Sequence, residues 1–539
     1  IGIIVWVVRQ KQNDSADYFL GGRDATWLAI GASIFASNIG SEHLIGLAGA
    51  GASSGMAMAH WEIQGWMILI LGWVFVPFYS RSMVYTMPEF LERRYNPQSR
   101  TILSVISLVS YVLTKVAVTV YAGGLVFQQV FGIKELWGID FFWIAAIGLV
   151  VLTALYTIFG GMKSVLYTSV LQTPILLLGS LIILVLGFKE LGGWDEMMRV
   201  CGAVTVNDYG DTMTNLIRSN DDANFPWLGA LIGSAIIGFW YWCTDQFIVQ
   251  RVLSGKNEKE ARRGTIFGAY LKLLPVFLFL IPRMIAFALH QKYIGAGGEG
   301  FLPMLANGTA NADAAFPTLV AKLLPAGVKG LVVCGILAAL MSSLASLFNS
   351  SAMLFTIDFY KRFRPETPEK KLVGIGQIAT VVIVILGILW IPIMRSVGDV
   401  LYTYLQDVQS VLAPGIAAAF LLGICWKRTS AQGGMWGLIA GMVIGLTRLG
   451  AKVYYSNAGE VADSTFKYLF YDMNWLFFCG WMFLFCIIVV IVVSLATEAP
   501  TAEKIQGLVF GTATKEQKAA TRASWDHWDI IHTAIILAI

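Results

Sequence analysis

Five ionisable residues lie deep inside apolar stretches of the sequence, where a charge is costly and usually serves a substrate or ion pathway. They are Glu62 in HWEIQGW, Lys115 in YVLTKVAV, Asp245 in WYWCTDQF, Lys272 in AYLKLLP and Arg283 in LIPRMIAF. Glu62 and Lys272 have opposite charges, so they could pair with each other or together bind a neutral, polyhydroxylated ligand. The position of Arg283 indicates no role.

A sugar site requires several fixed hydrogen-bond donors and acceptors beside an aromatic surface. Residues of these types occur in and around the same apolar stretches. The candidate set consists of Asn38, His43, Glu62, Gln64, Tyr241, Lys272 and Gln406.

Several of these residues also have a structural interpretation. Glu62 and His43 lie near a predicted outer helix end, where water could hydrate them. Asp245 could cap a helix or act as a gate near its cytoplasmic end. The Lys115 ammonium could extend towards the membrane surface, and the aromatic run 239–242 could be ordinary packing.

Two polar runs indicate a cation site. ASNIGSEH, at residues 36–43, interrupts a stretch that is otherwise apolar and long enough to span a membrane. A broken helix frees backbone carbonyls, which are tolerated at membrane depth where they line an enclosed cavity or bind an ion. The run SSLASLFNSS, at residues 342–351, adds hydroxyl groups. Uncharged oxygen ligands favour a monovalent cation, whereas a contact between small residues of two helices is the alternative.

The composition identifies the class of protein that must position these residues. Of 539 residues, 57% are hydrophobic and 13% are charged, whereas soluble domains average about 45–50% apolar and about 25% charged residues. The chain is therefore an integral membrane protein. The net charge of +4 is spread over loops and does not indicate nucleic-acid binding. The six scattered cysteines predict neither a zinc site nor a disulfide framework.

Apolar runs predict about 14 membrane helices. Basic loops alternate with acidic or neutral ones along the whole series, which places the basic loops in the cytoplasm and the N-terminus in the extracellular or periplasmic space. The predicted runs are 1–8 (the remnant of a helix), 25–51, 60–80, 101–131, 140–160, 164–188, 226–249, 264–290, 327–357, 373–394, 399–425, 433–450, 475–496 and 527–539.

Five of these helices lie in 25–188 and five more in 226–425. Because five is odd, the second set enters the membrane from the opposite side, as in the inverted repeats of secondary transporters. The expected organisation is a flanking remnant at 1–24, one repeat at 25–190, an extracellular loop at 191–225 and a second repeat at 226–425. Additional helices are expected at 426–539, with a cytoplasmic loop at about 497–524.

Six motifs in colinear order, within residues 15 to 450, resemble the sodium/solute symporter family, and specifically its sodium/glucose cotransporter branch. The resemblance implies an all-α LeuT-type fold, in which two inverted five-helix repeats form the core and further helices flank it. The motifs are SNIGSEHLIGLAG, YTMPEFLERRY, ALYTIFGGMKSVLYT, WYWCTDQFIVQRVLSGKN, YLKLLP and ALMSSLASLFNSSAMLFTIDFY.

The resemblance also implies roles for individual residues. A sodium site would use the carbonyls of Ala36, Ile39 and Ala339 and the hydroxyls of Ser342 and Ser343. Tyr241 would be an inner gate that stacks under the sugar. The implied sugar-binding residues are Asn38, His43, Glu62, Tyr241, Trp242, Lys272 and Gln406.

Three positions depart from the family pattern. Relatives that use two sodium ions have an Asp and a Thr where this chain has Ser169 and Ala345, so we expect one sodium per sugar. Gly238 replaces a polar sugar contact and is expected to leave room in the site. Arg283 stands where a small residue is expected.

The expected function is sodium-coupled symport of a glucose- or galactose-like sugar by alternating access, in a multi-pass protein of the cell membrane. A sodium/myo-inositol or other polyol symporter is the first alternative, and a sodium-independent sugar sensor or facilitator is the second. The expected partners are sodium, a small solute and the lipid bilayer, without nucleic acid. A monomer should suffice for transport. The sequence shows no pairing of a nucleophile with a base, so no enzymatic activity is expected.

Overall fold

The computed structural model describes residues 14–40, 43, 47–305, 308–397, 401–458 and 462–539. Within these residues, nine helical stretches are long and apolar enough to cross a membrane, and two shorter apolar helices, Trp27–Asn38 and Ala117–Phe131, accompany them. The predicted remnant at 1–8 lies outside the described residues. The all-α membrane fold predicted from hydropathy is confirmed.

The described residues between 14 and 202 are mainly helical, with π-helical segments at Leu71–Phe75 and Tyr111–Val116, and a long non-helical segment follows Gly202. Strands Glu135–Leu136 and Ile139–Asp140 pair antiparallel. The α-helices are Ser15–Leu20, Trp27–Asn38, Leu47–Ser54, Ala59–Glu62, Gly65–Ile70, Val76–Ser82, Met87–Arg94, Pro97–Ser110, Ala117–Phe131, Phe141–Leu191 and Trp194–Gly202, and the 3-10 turns are Gly21–Arg23 and Gly55–Met58.

The described residues after 225 are also mainly helical. Its π-helical segments are Trp240–Thr244, Val276–Leu280, Leu354–Tyr360 and Tyr468–Asp472, and Ala312–Ala314 is a 3-10 turn. The α-helices are Trp227–Phe239, Gln246–Leu253, Glu258–Pro275, Ile281–Gly295, Ala315–Leu323, Ala326–Met353, Lys361–Phe363, Glu369–Val397, Leu401–Cys425, Ala431–Asn457, Thr465–Lys467, Trp475–Ala496, Ala502–Ile505, Lys515–Ala523 and His527–Ala538.

The first core helix, Trp27–Asn38, ends inside the polar run, as predicted. Ile39 has φ −80° and ψ 73°, which is not helical, and the Gly40 N–H donates to the Asn38 carbonyl at 2.9 Å. The helix resumes at Leu47. The break therefore places main-chain polar groups in a buried part of the molecule.

The break is buried because helices pack around the first core helix. Every residue from Ala29 to Asn38 is buried, against the helices Phe141–Leu191, Glu258–Pro275 and Ala326–Met353. Gly31 permits the closest approach, since a Cβ there would lie 2.8 Å from the Gly264 carbonyl oxygen. Small residues at helix contacts are typical of membrane bundles.

A second interruption occurs at Asp245. The π-helical segment Trp240–Thr244 ends there, Asp245 is extended (φ −75°, ψ 127°), and its side chain caps the helix Gln246–Leu253. The predicted cap is confirmed, and the apolar run predicted at 226–249 contains a candidate membrane span, Trp227–Thr244, that ends at this break. The aromatic run before Asp245 is so apolar that hydropathy alone does not indicate the break.

The spans predicted at 140–160 and 164–188 form one helical run, Phe141–Leu191, which turns sharply at Gly161 (φ 53°, ψ −150°). Such a conformation is accessible mainly to glycine. The predicted external segment 191–225 is partly ordered as the helix Trp194–Gly202.

Three of the last long helices pack together, and two of them, Leu401–Cys425 and Trp475–Ala496, also contact the core helix Trp227–Phe239. Leu401–Cys425, Ala431–Asn457 and Trp475–Ala496 contact one another. A Cβ on Gly415 would lie 2.9 Å from the Gly441 Cα, so two of these backbones are in direct contact.

Candidate functional site

The Lys272 ammonium is the centre of a buried polar cluster. Its Nζ donates to Glu62 Oε2 at 2.7 Å and to Asn38 Oδ1 at 3.2 Å. It also lies 3.3 Å from His43 Nε2. Lys272 extends from the helix Glu258–Pro275, so it joins this helix to the broken first core helix and to the short helix Ala59–Glu62.

His43 is held on two sides. Its Nε2 lies 3.1 Å from Glu62 Oε1, and its backbone carbonyl accepts a hydrogen bond from Arg283 Nη2. Glu62 is 2% exposed and His43 5%. The interpretation of these two residues as hydrated at an outer helix end is therefore wrong, because both side chains are directed at Lys272 inside the bundle.

Aromatic residues of the second broken helix complete the cluster. Asn38 Nδ2 donates to the Tyr241 hydroxyl at 3.1 Å, and the Lys272 ammonium lies 5.5 Å from the centroid of the Trp242 ring. The structure brings six predicted sugar-binding residues together: Asn38, His43, Glu62, Tyr241, Trp242 and Lys272. The side chain of Gln406 lies outside the described residues.

Gln64 does not join this cluster. Its Nε2 donates to the Ser234 carbonyl at 3.0 Å, and a Cβ on Gly238 would lie 2.7 Å from Gln64 Oε1. The expectation that Gly238 leaves free space is therefore wrong, since Gln64 occupies that space.

The predicted cation ligands lie where the first core helix breaks against the helix Ala326–Met353. Ser343 Oγ donates to the Ser37 carbonyl at 2.9 Å, and a Cβ on Gly40 would lie 2.8 Å from the Ser343 Cβ. Ser342 Oγ lies 3.2 Å from Ser169 Oγ. Ala36, Ile39, Ala339, Ser342 and Ser343 are all buried.

These contacts show that both helices offer neutral oxygen atoms at their crossing. Ser37 Oγ and Ser346 Oγ lie 2.7 Å apart, and Ser346 Oγ donates to the Ser342 carbonyl at 2.7 Å. Neutral hydroxyl and carbonyl oxygens suit a monovalent hard cation that has lost its water. The residues present therefore fit sodium.

A buried ion pair between Lys115 and Asp245 was not predicted from the sequence. Lys115 Nζ lies 2.6 Å from Asp245 Oδ2, and both side chains are nearly inaccessible. The Tyr111 hydroxyl donates to Asp245, and the ammonium lies 4.7 Å from the Tyr241 ring centroid. The interpretation of Lys115 as reaching the membrane surface is wrong, because its partner lies inside the bundle. Opposite charges in two apolar runs were the available signal.

A narrow cavity joins these groups. Asn38 and Tyr241 of the polar cluster line it, together with Gly40 and Ser343 of the helix crossing and Lys115 of the ion pair. The candidate solute contacts, the candidate cation ligands and the ion pair are therefore neighbours around one space.

The chain is similar to known proteins over most of its length. The sequence profile of the Sodium:solute symporter family matches residues 18–441. The Homo sapiens sodium/myo-inositol cotransporter 2 is 36% identical over 526 residues, which are 95% of this chain and 77% of that protein. The Canis lupus familiaris sodium/myo-inositol cotransporter is 37% identical over 525 residues, which are 93% of this chain and 72% of that protein.

A solved structure has the same fold. The substrate-bound, outward-open structure of a Na⁺-coupled sialic acid symporter superposes with a TM-score of 0.72 at 21% sequence identity, covering 93% of this chain and 97% of that chain. The predicted LeuT-type architecture is thereby confirmed. The match to the Sodium:solute symporter family confirms sodium as the predicted coupling ion. The chain belongs to the sodium:solute symporter family, and it is a multi-pass membrane protein that couples sodium to the symport of a small solute.

Proposed function

We propose that the solute is a neutral polyol of the inositol type, with a glucose- or galactose-like sugar as the second candidate. The observation that carries this proposal is the Lys272–Glu62 ion pair at 2.7 Å. The two charges compensate each other, so the cluster offers hydrogen bonds without a net charge. The cotransporters at 36–37% identity are named for myo-inositol, which supports a polyol rather than the sugar expected first.

The cluster has the donors and acceptors that a ring of hydroxyl groups requires. Lys272 donates, Glu62 accepts, and Asn38 does both. Trp242 and Tyr241 supply apolar ring surface for the carbon skeleton. A site built from fixed hydrogen-bonding groups discriminates strongly against a ligand that lacks a matching hydroxyl. Gln406 is proposed as a further contact from the sequence alone.

We propose one sodium site at the helix crossing, with ligands from Ala36, Ile39, Ala339, Ser342 and Ser343. The hydrogen bond from Ser343 Oγ to the Ser37 carbonyl supports this site, because it places a hydroxyl at the freed end of the first core helix. A cation bound there would hold the two helices together and fix the break. Asn38 and His43 belong to the same break, so ion and solute would bias one conformational equilibrium, as coupling requires.

A single sodium ion per solute is proposed because the described side chains at this crossing include no carboxylate. The polar neighbour of Ser342 is the hydroxyl of Ser169, and Ala345 has no hydroxyl. One charge crossing 100 mV supplies about 2.3 kcal/mol, and a tenfold sodium gradient adds about 1.4 kcal/mol. Their combined effect would sustain a solute gradient of roughly several hundredfold.

Transport would proceed by alternating access, with Tyr241 as the inner gate and the N-terminus outside the cell. The hydrogen bond from Asn38 to the Tyr241 hydroxyl supports the gate, since it joins the two broken helices beside the cluster. A monomer contains every proposed contact. Family membership gives no support to the alternative of a sodium-independent sensor or facilitator.

Uptake into proteoliposomes tests the proposal. Radiolabelled myo-inositol, glucose and galactose are compared in sodium and in choline at a fixed membrane potential. We expect sodium-dependent uptake of myo-inositol, with competition by the hexoses. Lys272→Gln should abolish it, whereas Lys329→Gln, which removes a bond to the Ala321 carbonyl away from the cluster, should not. Uptake that is equal in choline would overturn the proposal.

A further inference from the structure

Two cations in consecutive segments of the chain contact the same residue of the first broken helix. Lys272, on Glu258–Pro275, lies 3.3 Å from the His43 imidazole, and Arg283, on Ile281–Gly295, donates to the His43 carbonyl. Eleven residues separate the two cations, which corresponds to about 16 Å along an α-helix. The two cations therefore start from different positions along the chain axis. Lys272 contacts the His43 side chain, and Arg283 contacts the His43 main chain.

The surroundings of Arg283 fix the direction of its side chain. The residue is completely buried, and its guanidinium lies 5.6 Å from the Phe316 ring centroid and 5.8 Å from that of Phe279. A Cβ on Gly51 would lie 3.5 Å from the Arg283 Cδ. The absence of a side chain at Gly51 thus leaves room for the arginine stem beside the helix that follows the break.

The His43 carbonyl needs such a donor. It belongs to the interruption of a membrane helix, where the regular hydrogen-bond ladder is lost and an unsatisfied main-chain group is costly. The His43 N–H is satisfied within the break, since it donates to the Gly40 carbonyl at 3.2 Å. An arginine keeps its charge throughout the physiological pH range and donates in a fixed planar geometry.

We propose that Arg283 is a positioning residue for the solute site. It holds the main chain of His43 so that the imidazole stays between Glu62 and Lys272. This inference rests on the proposed function and adds the residue that presents His43 to the solute. Because the proposed role of Arg283 is to orient His43 within the solute site, its loss should weaken solute binding more than it slows the transport cycle.

The test measures solute affinity and maximal rate separately in proteoliposomes that contain sodium. Arg283→Met removes the donor and keeps much of the volume, and Arg283→Lys retains a cationic donor. Removing a partner from a buried acceptor costs about 1–3 kcal/mol, so Arg283→Met should raise the KM for myo-inositol about tenfold. Its maximal rate per inserted molecule should change by less than about threefold. Arg283→Lys should recover most of the affinity.

Arg448→Met is the matched control. Arg448 is also buried, donates to the Met473 carbonyl at 2.7 Å and lies 4.0 Å from the Phe478 ring centroid, but it belongs to the helix Ala431–Asn457. The Arg448→Met variant should leave the KM for myo-inositol unchanged, whatever its effect on the yield of membrane-inserted protein. If Arg283→Met does not accumulate in the membrane, Arg283→Gln replaces it, and its KM should also rise.

Failure of the positioning role and failure of the proposed function give different results. A wild-type KM in Arg283→Met or its replacement overturns the positioning role, and so does an equal rise in KM in Arg448→Met. An absence of sodium-dependent uptake in the wild-type protein overturns the proposed function instead.

Discussion

Lys115 and Asp245 form a buried ion pair of 2.6 Å that joins a π-helical segment to the break of a second helix. Asp245 also caps the helix Gln246–Leu253, so the same carboxylate stabilises a helix end and compensates a charge. The pair lies next to Tyr241, whose ring centroid is 4.7 Å from the ammonium. We therefore expect the ion pair to help set the position of Tyr241, the proposed gate.

Breaking this pair should destabilise the protein strongly. Loss of one partner leaves an uncompensated buried charge, which costs about 3–5 kcal/mol. We expect Lys115→Met and Asp245→Asn each to lower the melting temperature of the detergent-purified protein, and the double variant to recover part of the loss. A control, Arg199→Met, breaks an exposed ion pair with Glu196 and should have little effect. Additive losses in the double variant would contradict a direct interaction.

Ser343→Ala should weaken the response to sodium. The Ser343 hydroxyl is a proposed ligand and donates to the Ser37 carbonyl. We expect the half-saturating sodium concentration to rise about tenfold, with a smaller change in solute KM at saturating sodium. Ser180→Ala, another buried serine in a different helix, should leave the sodium dependence unchanged. A normal sodium response in Ser343→Ala would exclude the hydroxyl as a ligand.

The charge moved per solute should be close to one elementary charge. This follows from the neutral surroundings of Ser342, where Ser169 supplies a hydroxyl and no carboxylate. Simultaneous measurement of current and labelled solute uptake at a clamped potential gives the ratio. A ratio near two would refute the single site. Ser169→Asp combined with Ala345→Thr should raise it, and Ala345→Thr alone should not.

The segment 207–225 should lose order in acid. Burial raises the pKa of Asp222, but hydrogen bonds from the Phe225 N–H and the Asn207 amide and the charge of Arg218 outweigh this effect and leave it below its usual value. A lowered pKa means that the stabilisation is complete above the unfolded-state value, near 4, and is lost as the pH falls further.

Limited proteolysis of this segment measures the effect. We expect cleavage to accelerate below about pH 4, with Arg218 still held by its bond to the Ser54 carbonyl. Asp222→Asn should be more susceptible at pH 7 and should show a weaker pH dependence, because it has no carboxyl group to titrate. An acid-active protease and a control substrate exclude an effect on the enzyme. A pH-independent rate in the wild-type segment would contradict the prediction.

Much of the site could be predicted from single positions. Polar residues in ASNIGSEH predicted a broken helix because its composition opposes an uninterrupted apolar span, and the helix does end at Asn38. The charge of Glu62 and that of Lys272 indicated a pair because neither is stable alone in an apolar bundle, and the two are bonded.

The remaining features depend on how helices are rotated against one another, which one sequence does not specify. Lys115 has apolar neighbours in the chain, but the rotation of its π-helical segment directs it to Asp245. The space at Gly238 was misjudged for the same reason, because Gln64 enters it from another helix. The role proposed for Arg283 follows from its contact with the His43 carbonyl, which the sequence does not specify.

The mutual hydrogen bonds of Lys272, Glu62, Asn38 and His43 have a thermodynamic consequence for the solute. A hydroxyl that enters the cluster exchanges an existing internal bond for a new one, so each exchange yields little net enthalpy. The net gain in binding free energy for a matching ligand is therefore small, whereas a ligand that leaves one of these groups without a hydrogen bond binds with a large free-energy penalty. Such a site can be selective without being tight, and modest affinity favours rapid release on the far side of the membrane.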